Sequence, residues 1–162
     1  MLSIFDKSAA AGIILFFSVT ALAQESASLM TYDLALKAID SSEAYARKKG
    51  WNVTILVTDQ NANPVMLRRL DGASIRSIGF AKSKALVVTK TGLTSGEYAE
   101  KLRRGEIDEI EGGVTYKGGV PVYLSGKLIG AVSTSGVKDF QDLEVSIEGV
   151  KKIGSISRKG SN

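Results

Sequence analysis

Residues 111–136 read EGGVTYKGGVPVYLSGKLIGAVSTSG and decide the fold of the chain. They include seven glycines and two short apolar runs, Val120–Leu124 and Leu128–Val132. The link Ser125-Gly126-Lys127 separates the two runs. Short apolar runs rich in Val, Ile and Tyr and bounded by glycine are typical of strands, and Gly126 supplies the positive φ that a tight turn requires. The stretch therefore predicts a β-hairpin.

Two glycine pairs precede and open the first run, Gly112-Gly113 and Gly118-Gly119. Without side chains, these positions allow backbone N–H groups to approach a ligand closely, or they simply close turns. Neither a GxGxxG pattern nor a Walker pattern is present, so the sequence gives no support for nucleotide phosphate binding.

Upstream of this hairpin, the sequence predicts a helix, a second hairpin and a second helix. Helical spacing of apolar and small residues runs from Thr31, a predicted N-cap, to the stop at Gly50. The β-branched run Val53–Asp59 and the run Val65–Leu70 flank a turn-forming segment and predict two paired strands. A helical pattern then extends from Ser74 to Thr89, with Lys84 interpreted as lying off its apolar stripe.

Two further helices complete the predicted order of elements. Thr94 and Glu97 form a capping box that opens a short helix ending near Arg104. The last helix begins near Asp139 and ends near Gly154. The order α-β-β-α-α-β-β-α favours an α+β fold, in which helices pack on a single, mainly antiparallel sheet.

The start of the chain has the pattern of a secretory signal peptide, residues 1–23. An apolar run follows Lys7, and Ala21-Leu22-Ala23 forms a small-x-small cleavage site. The alternative is a retained N-terminal anchor. We expect cleavage to leave a periplasmic or secreted protein with one domain, residues 24–154, and a polar tail, residues 155–162.

Composition excludes several classes of chemistry. The chain contains no His and no Cys, so it has no Ser-His-Asp triad, no Cys-His pair, and no His- or Cys-ligated zinc or haem. The net charge of +4 is too small to indicate a nucleic-acid partner. The acidic run Glu106–Glu111 offers oxygen ligands for Ca²⁺ or is a solvated surface; no metal is assigned from it.

The chain resembles the GlcG/HbpS-like haem-binding family, which includes the C-terminal domain of PduO-type proteins. The resemblance covers nearly all of the sequence after residue 23. It implies an α/β sandwich, assembly into homo-oligomers, and in several members binding of haem or a related tetrapyrrole, with an accessory role in redox or iron sensing. The segments that carry it are Thr31–Gly50, Val57–Asp59, Leu67–Ala73, Lys82–Leu86, Gly118–Val122, Gly130–Ser133, and Ser135-Gly136 with Asp142.

Seven residues are predicted to form or shape the ligand site. Arg69 would hold a propionate that Asp71 orients, or the two would form a local pair. Lys84 would pair with an anionic ligand or be a solvated helix residue, and Thr94 is also explained by its capping role. The other predicted site residues are Gly118, Gly119 and Pro121.

Two functions from different classes remain open. The first is an exported, oligomeric small-molecule binder of the haem or tetrapyrrole type, with an apolar slot formed by Val120, Val122, Tyr123 and the face of Ile75 and Ile78. The plausible iron ligands in this case are Tyr116, Tyr123 and Met66. The second is an enzyme that acts on a small anionic metabolite. It would use carboxylate or lysine chemistry around Asp59, Asp71 and Lys84.

Overall fold

The computed structural model describes residues 29–158. The predicted signal peptide and residues 159–162 lie outside the described residues. In chain order, the elements are α1 (Tyr32–Lys49), β1 (Thr54–Asp59), β2 (Pro64–Arg69), α2 (Arg76–Thr91), α3 (Ser95–Arg103), β3 (Gly119–Leu124), β4 (Lys127–Ser135) and α4 (Asp139–Ile153). The predicted α+β order is confirmed.

The four strands form one antiparallel sheet in the order β2-β1-β4-β3. Both predicted hairpins are present, and β1 and β4 pair in the middle of the sheet. At one end, Thr54 of β1 lies between Arg69 of β2 and Ser135 of β4. At the opposite end, Asp59 of β1 pairs with Gly130 of β4.

Local signals in the sequence place the helix ends. The hydroxyl of Thr31 accepts from the N–H of Leu34, and Gly50 ends α1 in the left-handed conformation at φ 70°. Thr94 and Glu97 form the predicted capping box of α3. The start of α2 differs, because the helix begins at Arg76, two residues after the predicted start.

Helices cover both faces of the sheet. Helices α1 and α4 pack against each other and over one face, where the larger core is centred on β1 residues such as Ile55 and Val57. Helix α2 covers the other face, and its residues Ala81, Ala85 and Val88 pack on Leu56 and Ala131. Since β4 and β1 lie beneath helices on both faces, the polar residues Ser133, Thr134 and Ser135 of β4 are also buried.

The β3–β4 hairpin closes through a two-residue turn. Ser125 and Gly126 have φ of 50° and 76°, the combination of a type I′ turn, so the predicted positive φ at Gly126 is confirmed. At this end of the sheet, Ser155 exchanges backbone hydrogen bonds with Tyr123, which joins the first residue of the polar tail to the domain. None of the helices in residues 29–158 is long and apolar enough to cross a membrane.

Candidate functional site

The side chain of Lys84, a residue of α2, is buried and reaches Asp142 of α4. Its Nζ donates to the backbone oxygen of Thr134 and to Oδ2 of Asp142, both at 2.8 Å. The side chains of Lys84 and Asp142 are 2% and 3% exposed. The interpretation of Lys84 as a solvated residue off the apolar stripe is therefore wrong. It shares the inward face of α2 with Ala81, Ala85 and Val88, which follow the i, i+3, i+4, i+7 spacing of a buried stripe.

Burial acts on the charge of both partners. Loss of water lowers the pKa of Lys84 and raises the pKa of Asp142, because the charged form of each is less stable away from solvent. The attraction between the two groups opposes both shifts. Oδ1 of Asp142 also accepts the N–H of Val137 at 3.2 Å, so both oxygens of the carboxylate are used.

Gly118 lies against this pair and must be glycine. Its φ is 120°, and a Cβ there would lie 2.7 Å from the oxygen of Thr134 and 2.8 Å from both Lys84 Nζ and Asp142 Cβ. The oxygen of Gly118 accepts the N–H of Thr134 at 2.9 Å and lies 2.7 Å from Ser146 Oγ. The loop before β3 is thus fixed to both β4 and α4.

Gly119 allows α2 to approach β3. A Cβ on Gly119 would lie 2.9 Å from the backbone oxygen of Lys84. Its N–H donates to the hydroxyl of Ser95, the first residue of α3, at 2.9 Å. Gly118 and Gly119 therefore allow the close backbone packing that positions Lys84.

A cleft of about 580 Å³ opens beside the Lys84–Asp142 pair. We call it the aromatic cleft. Its lining residues come from α2, the loop before β3, the end of β4 and the start of α4: Phe80, Lys84, Tyr116, Ser135, Val137, Lys138, Asp139, Phe140 and Asp142.

Three aromatic side chains give the cleft its apolar character. The rings of Phe80 and Tyr116 meet edge to face, with centroids 5.9 Å apart. Tyr116 and Phe140 are 54% and 48% exposed, which is high for large apolar side chains. Phe80 also borders two smaller cavities, one of which is lined by the exposed Ile75 and by Val114. The aromatic cleft therefore continues into an exposed apolar surface.

The other predicted site residues lie elsewhere. Arg69 is separated from Ser135 by strand β1, and its guanidinium donates to the oxygen of Ala73 at 2.6 Å. Asp71 borders a separate cavity beside Trp51. Thr94 caps α3, and Pro121 is buried in β3.

The predicted slot is corrected by the packing of β3. Val120 and Val122 are fully buried in the core between the sheet and the helices, so they line no open slot. Tyr123 is also buried, and its hydroxyl donates to the oxygen of Gly92 at 3.0 Å. The reason is that β3 lies in contact with both α2 and α4, and therefore has no free face.

Of the three plausible iron ligands, Tyr116 alone lines the aromatic cleft. Tyr123 is used as described above, and Met66 of β2 packs against the larger core. Within residues 29–158 no group of acidic side chains is arranged to hold a metal ion, and Glu106 of the acidic run pairs with Lys101 and Arg104.

The carboxylates of the proposed enzyme chemistry are not gathered around Lys84. Asp59 lies at the far end of β1, about five residues or 17 Å along the strand from the row that contains Ser135. Its two oxygens accept from Asn61 and Asn63 in the β1–β2 turn. Asp59 therefore has a structural role in that turn.

Sequence reasoning missed most of the cleft. Phe80, Phe140, Ser135 and Lys138 were not among the predicted site residues, and Asp142 was named only in the family resemblance. The i, i+3, i+4 spacing around Lys84 is the signal that places a lysine on a buried face. No local pattern marks Phe80 and Phe140, which are 60 residues apart and meet only through the fold.

Comparison with known proteins agrees with this architecture. A profile of the family described as "Haem degrading protein HbpS-like" matches residues 30–151. Protein GlcG of Escherichia coli K12 is 27% identical over 109 residues, which cover 66% of this chain and 81% of that protein. The crystal structure of a double mutant of Streptomyces reticuli HbpS matches with a TM-score of 0.73 and 26% identity, covering 92% of this chain and 100% of the other.

A further solved structure, described as a complex of PduOC with haem, shares the fold. It has a TM-score of 0.72 at 18% identity and covers 78% of this chain and 97% of the other.

Proposed function

This chain belongs to the HbpS-like family, and from that membership we propose that it binds haem or a related tetrapyrrole in the aromatic cleft. Membership narrows the class of ligand, because the family is described by its relation to haem. Membership alone does not identify the residues of the binding site. We identify them from the side chains that line the cleft of this chain.

The observation that carries the proposal is the aromatic cleft itself. Its volume of about 580 Å³ falls within the range of about 300–1,000 Å³ that is usual for small-molecule sites. Phe80, Tyr116 and Phe140 line the cleft and offer apolar aromatic contacts to a flat, largely apolar ligand. Burial of two half-exposed aromatic side chains by the ligand supplies a hydrophobic driving force that the free protein lacks.

Tyr116 is the residue of the cleft lining that we propose as a ligand of the haem iron. Its phenol oxygen makes no hydrogen bond to any other residue of the described range, and its ring stands on Phe80. Haem, when bound, supplies a redox-active iron, and a phenol oxygen is among the axial ligands that proteins use. The chain has no His, so ligation by the protein would come from oxygen or sulfur.

The proposal extends to where the protein works and how it assembles. We infer an exported homo-oligomer that is accessory to redox or iron sensing or to metabolite utilisation. Support for export is the apolar run and small-x-small site within residues 1–23. Support for assembly is the family resemblance and the exposed apolar surface around Phe80. Of the residues predicted from the sequence, Lys84 lines the proposed site, and Gly118 and Gly119 pack against Lys84.

The alternative function, an enzyme for a small anionic metabolite, is less well supported. Lys84 lines the aromatic cleft, but its ammonium is already bonded to Asp142 and Thr134. Asp59 and Asp71 lie in other parts of the molecule. A metabolite that raises the melting temperature of the protein while hemin does not would favour this second function.

Hemin titration of the purified protein tests the proposal directly. We expect a saturable change in the Soret absorption with one haem per chain, and a spectrum unlike that of haem held by two histidines. Tyr116→Phe is expected to retain the binding surface and to alter the spectrum. Absence of saturable binding would overturn the proposal.

A further inference from the structure

We propose that the polar end of the aromatic cleft, formed by Ser135, Lys138 and the first turn of α4, binds a carboxylate group. Two sources share this chemistry, a propionate of a bound tetrapyrrole and a free small carboxylic acid. The first source rests on the proposed function, whereas the second does not. Neither Arg69 nor Asp71, the residues that the sequence assigned to a propionate, belongs to this group.

The first observation is the start of α4. Helix α4 has 15 residues and begins at Asp139, and both Asp139 and Phe140 line the cleft. The N–H of the following residue, Gln141, already donates to Lys138. No acceptor within residues 29–158 bonds to the N–H groups of Asp139 and Phe140. Free N–H groups and the helix dipole make this end of α4 attractive to an anion.

The second, independent observation is the hydroxyl of Ser135. Ser135 is 7% exposed, lines the cleft, and makes no side-chain hydrogen bond to any described residue. Its neighbours in β4 are bonded: Ser133 donates to Ala81, and Thr134 meets Ser146. Strand alternation directs Ser133 and Ser135 to the same face, towards α2. This hydroxyl is therefore free to bond to an oxygen of a ligand in the cleft.

The charges around the polar end of the aromatic cleft favour a ligand group with one negative charge. The carboxylate of Asp142 is matched by Lys84 and by the N–H of Val137. The other charged residues of the cleft lining are the exposed Lys138 and Asp139, which oppose each other, and the exposed Arg76 lines an adjoining cavity together with Ser135. The free N–H groups of Asp139 and Phe140 and the hydroxyl of Ser135 therefore favour binding of an anion.

The site can be tested with sodium propionate, which is the isolated side-chain group of haem. Amide resonances of Asp139 and Phe140 in the ¹⁵N-labelled protein are expected to shift saturably with propionate. Ser135→Ala should weaken this binding about five-fold, since one hydrogen bond is lost. Lys138→Gln should weaken it about two- to five-fold, with a dependence on salt. Asp139→Asn, which removes the opposing charge, should strengthen it by a similar factor.

The matched control is Lys37→Gln, the same loss of charge at an exposed position of α1 outside the cleft. It should leave propionate affinity unchanged. Equal effects of Lys37→Gln and Lys138→Gln would show a general effect of net charge and would count against the site.

Hemin and hemin dimethyl ester separate the two sources and the two proposals. Weaker binding of the ester, with the difference abolished by Ser135→Ala, supports a site for the propionate of a tetrapyrrole. Propionate shifts without hemin binding support a site for a free acid and overturn the proposed haem function alone. If the ester binds as tightly as hemin and propionate shifts neither amide, the carboxylate site is wrong while haem binding stands. If no probe binds, both proposals fail.

Discussion

The ammonium of Lys84 lies 2.8 Å from Oδ2 of Asp142, and both side chains are almost fully buried. The pair connects α2 and α4, the helices that cover opposite faces of the sheet, at the end where Gly118 precedes β3. It also forms the inner wall of the aromatic cleft. A structural contact and a candidate ligand site therefore share the same two residues.

Removal of the negative partner should cost more than loss of any exposed pair. Asp142→Asn leaves the buried charge of Lys84 uncompensated, and we expect a loss of about 3–5 kcal/mol in the free energy of unfolding, measured with urea. The control Glu148→Gln breaks the exposed pair with Lys151 and should cost less than about 1 kcal/mol. Similar losses for the two variants would contradict the assigned role.

The same variant has a defined dependence on pH. The pKa of Lys84 in the folded state is lowered from its ordinary value of 10.5, so between the folded-state pKa and pH 10.5 the unfolded chain binds more protons at this residue. In that range the free energy of unfolding rises as the pH increases. Loss of Asp142 lowers the pKa of Lys84 further, so the deficit of Asp142→Asn should shrink as pH rises towards 10.5. A deficit that is constant with pH would argue against a buried charged lysine.

Gly118→Ala should be strongly destabilising. The variant combines a φ of 120° with a Cβ placed 2.7–2.8 Å from three atoms, including Lys84 Nζ. We expect the free energy of unfolding, measured with urea, to fall by about 1–3 kcal/mol or more. Gly79→Ala is the control: nothing lies within 4 Å of a Cβ there, and the residue is inside α2. It should stabilise the protein by about 0.5–1 kcal/mol. A mild effect at Gly118 would show that the loop before β3 can shift freely.

Phe140→Ala should separate ligand binding from stability. Phe140 is 48% exposed, so its removal should change the free energy of unfolding by no more than about 0.5 kcal/mol. Hemin affinity should fall about ten-fold, because a ring that the ligand covers is lost. Leu124→Ala, 43% exposed at the hairpin end of the sheet, is the matched control and should leave affinity unchanged. Equal hemin affinity in the two variants would place the ligand elsewhere.

The exported protein is expected to begin at or near Gln24. The motif Ala21-Leu22-Ala23 sets the cleavage site, and cleavage leaves 139 residues. Intact mass measurement on protein recovered from the periplasm or the medium of the producing cell checks this. Exported protein that still carries Met1 would rule out cleavage.

Self-association should be visible by analytical ultracentrifugation. Exported proteins often use disulfides, which this cysteine-free chain lacks, so we expect its stability to come from core packing together with contacts between copies. At micromolar concentration we expect species larger than one chain. A single species with the mass of one chain would refute this prediction.

Local patterns in the sequence were enough to predict the order of the elements, both hairpins and most helix ends. These features depend on residues close together in the chain: the hydroxyl of Thr31 reaches an N–H three residues away, and Gly126 closes a turn between adjacent strands. Such short-range interactions depend little on the rest of the chain. The elements that they predict are therefore found in the structure.

Only the tertiary structure decided which side chains form the site. Lys84 and Asp142 are 58 residues apart, and the burial of their charges depends on how α2 and α4 pack on the sheet. Val120 and Val122 were predicted to line a slot, but contacts of β3 with both helices placed them in the core. Helix packing also brought Phe80 and Phe140 to one cleft. The chemistry of a residue is set by its neighbours in space, and those neighbours come from distant parts of the chain.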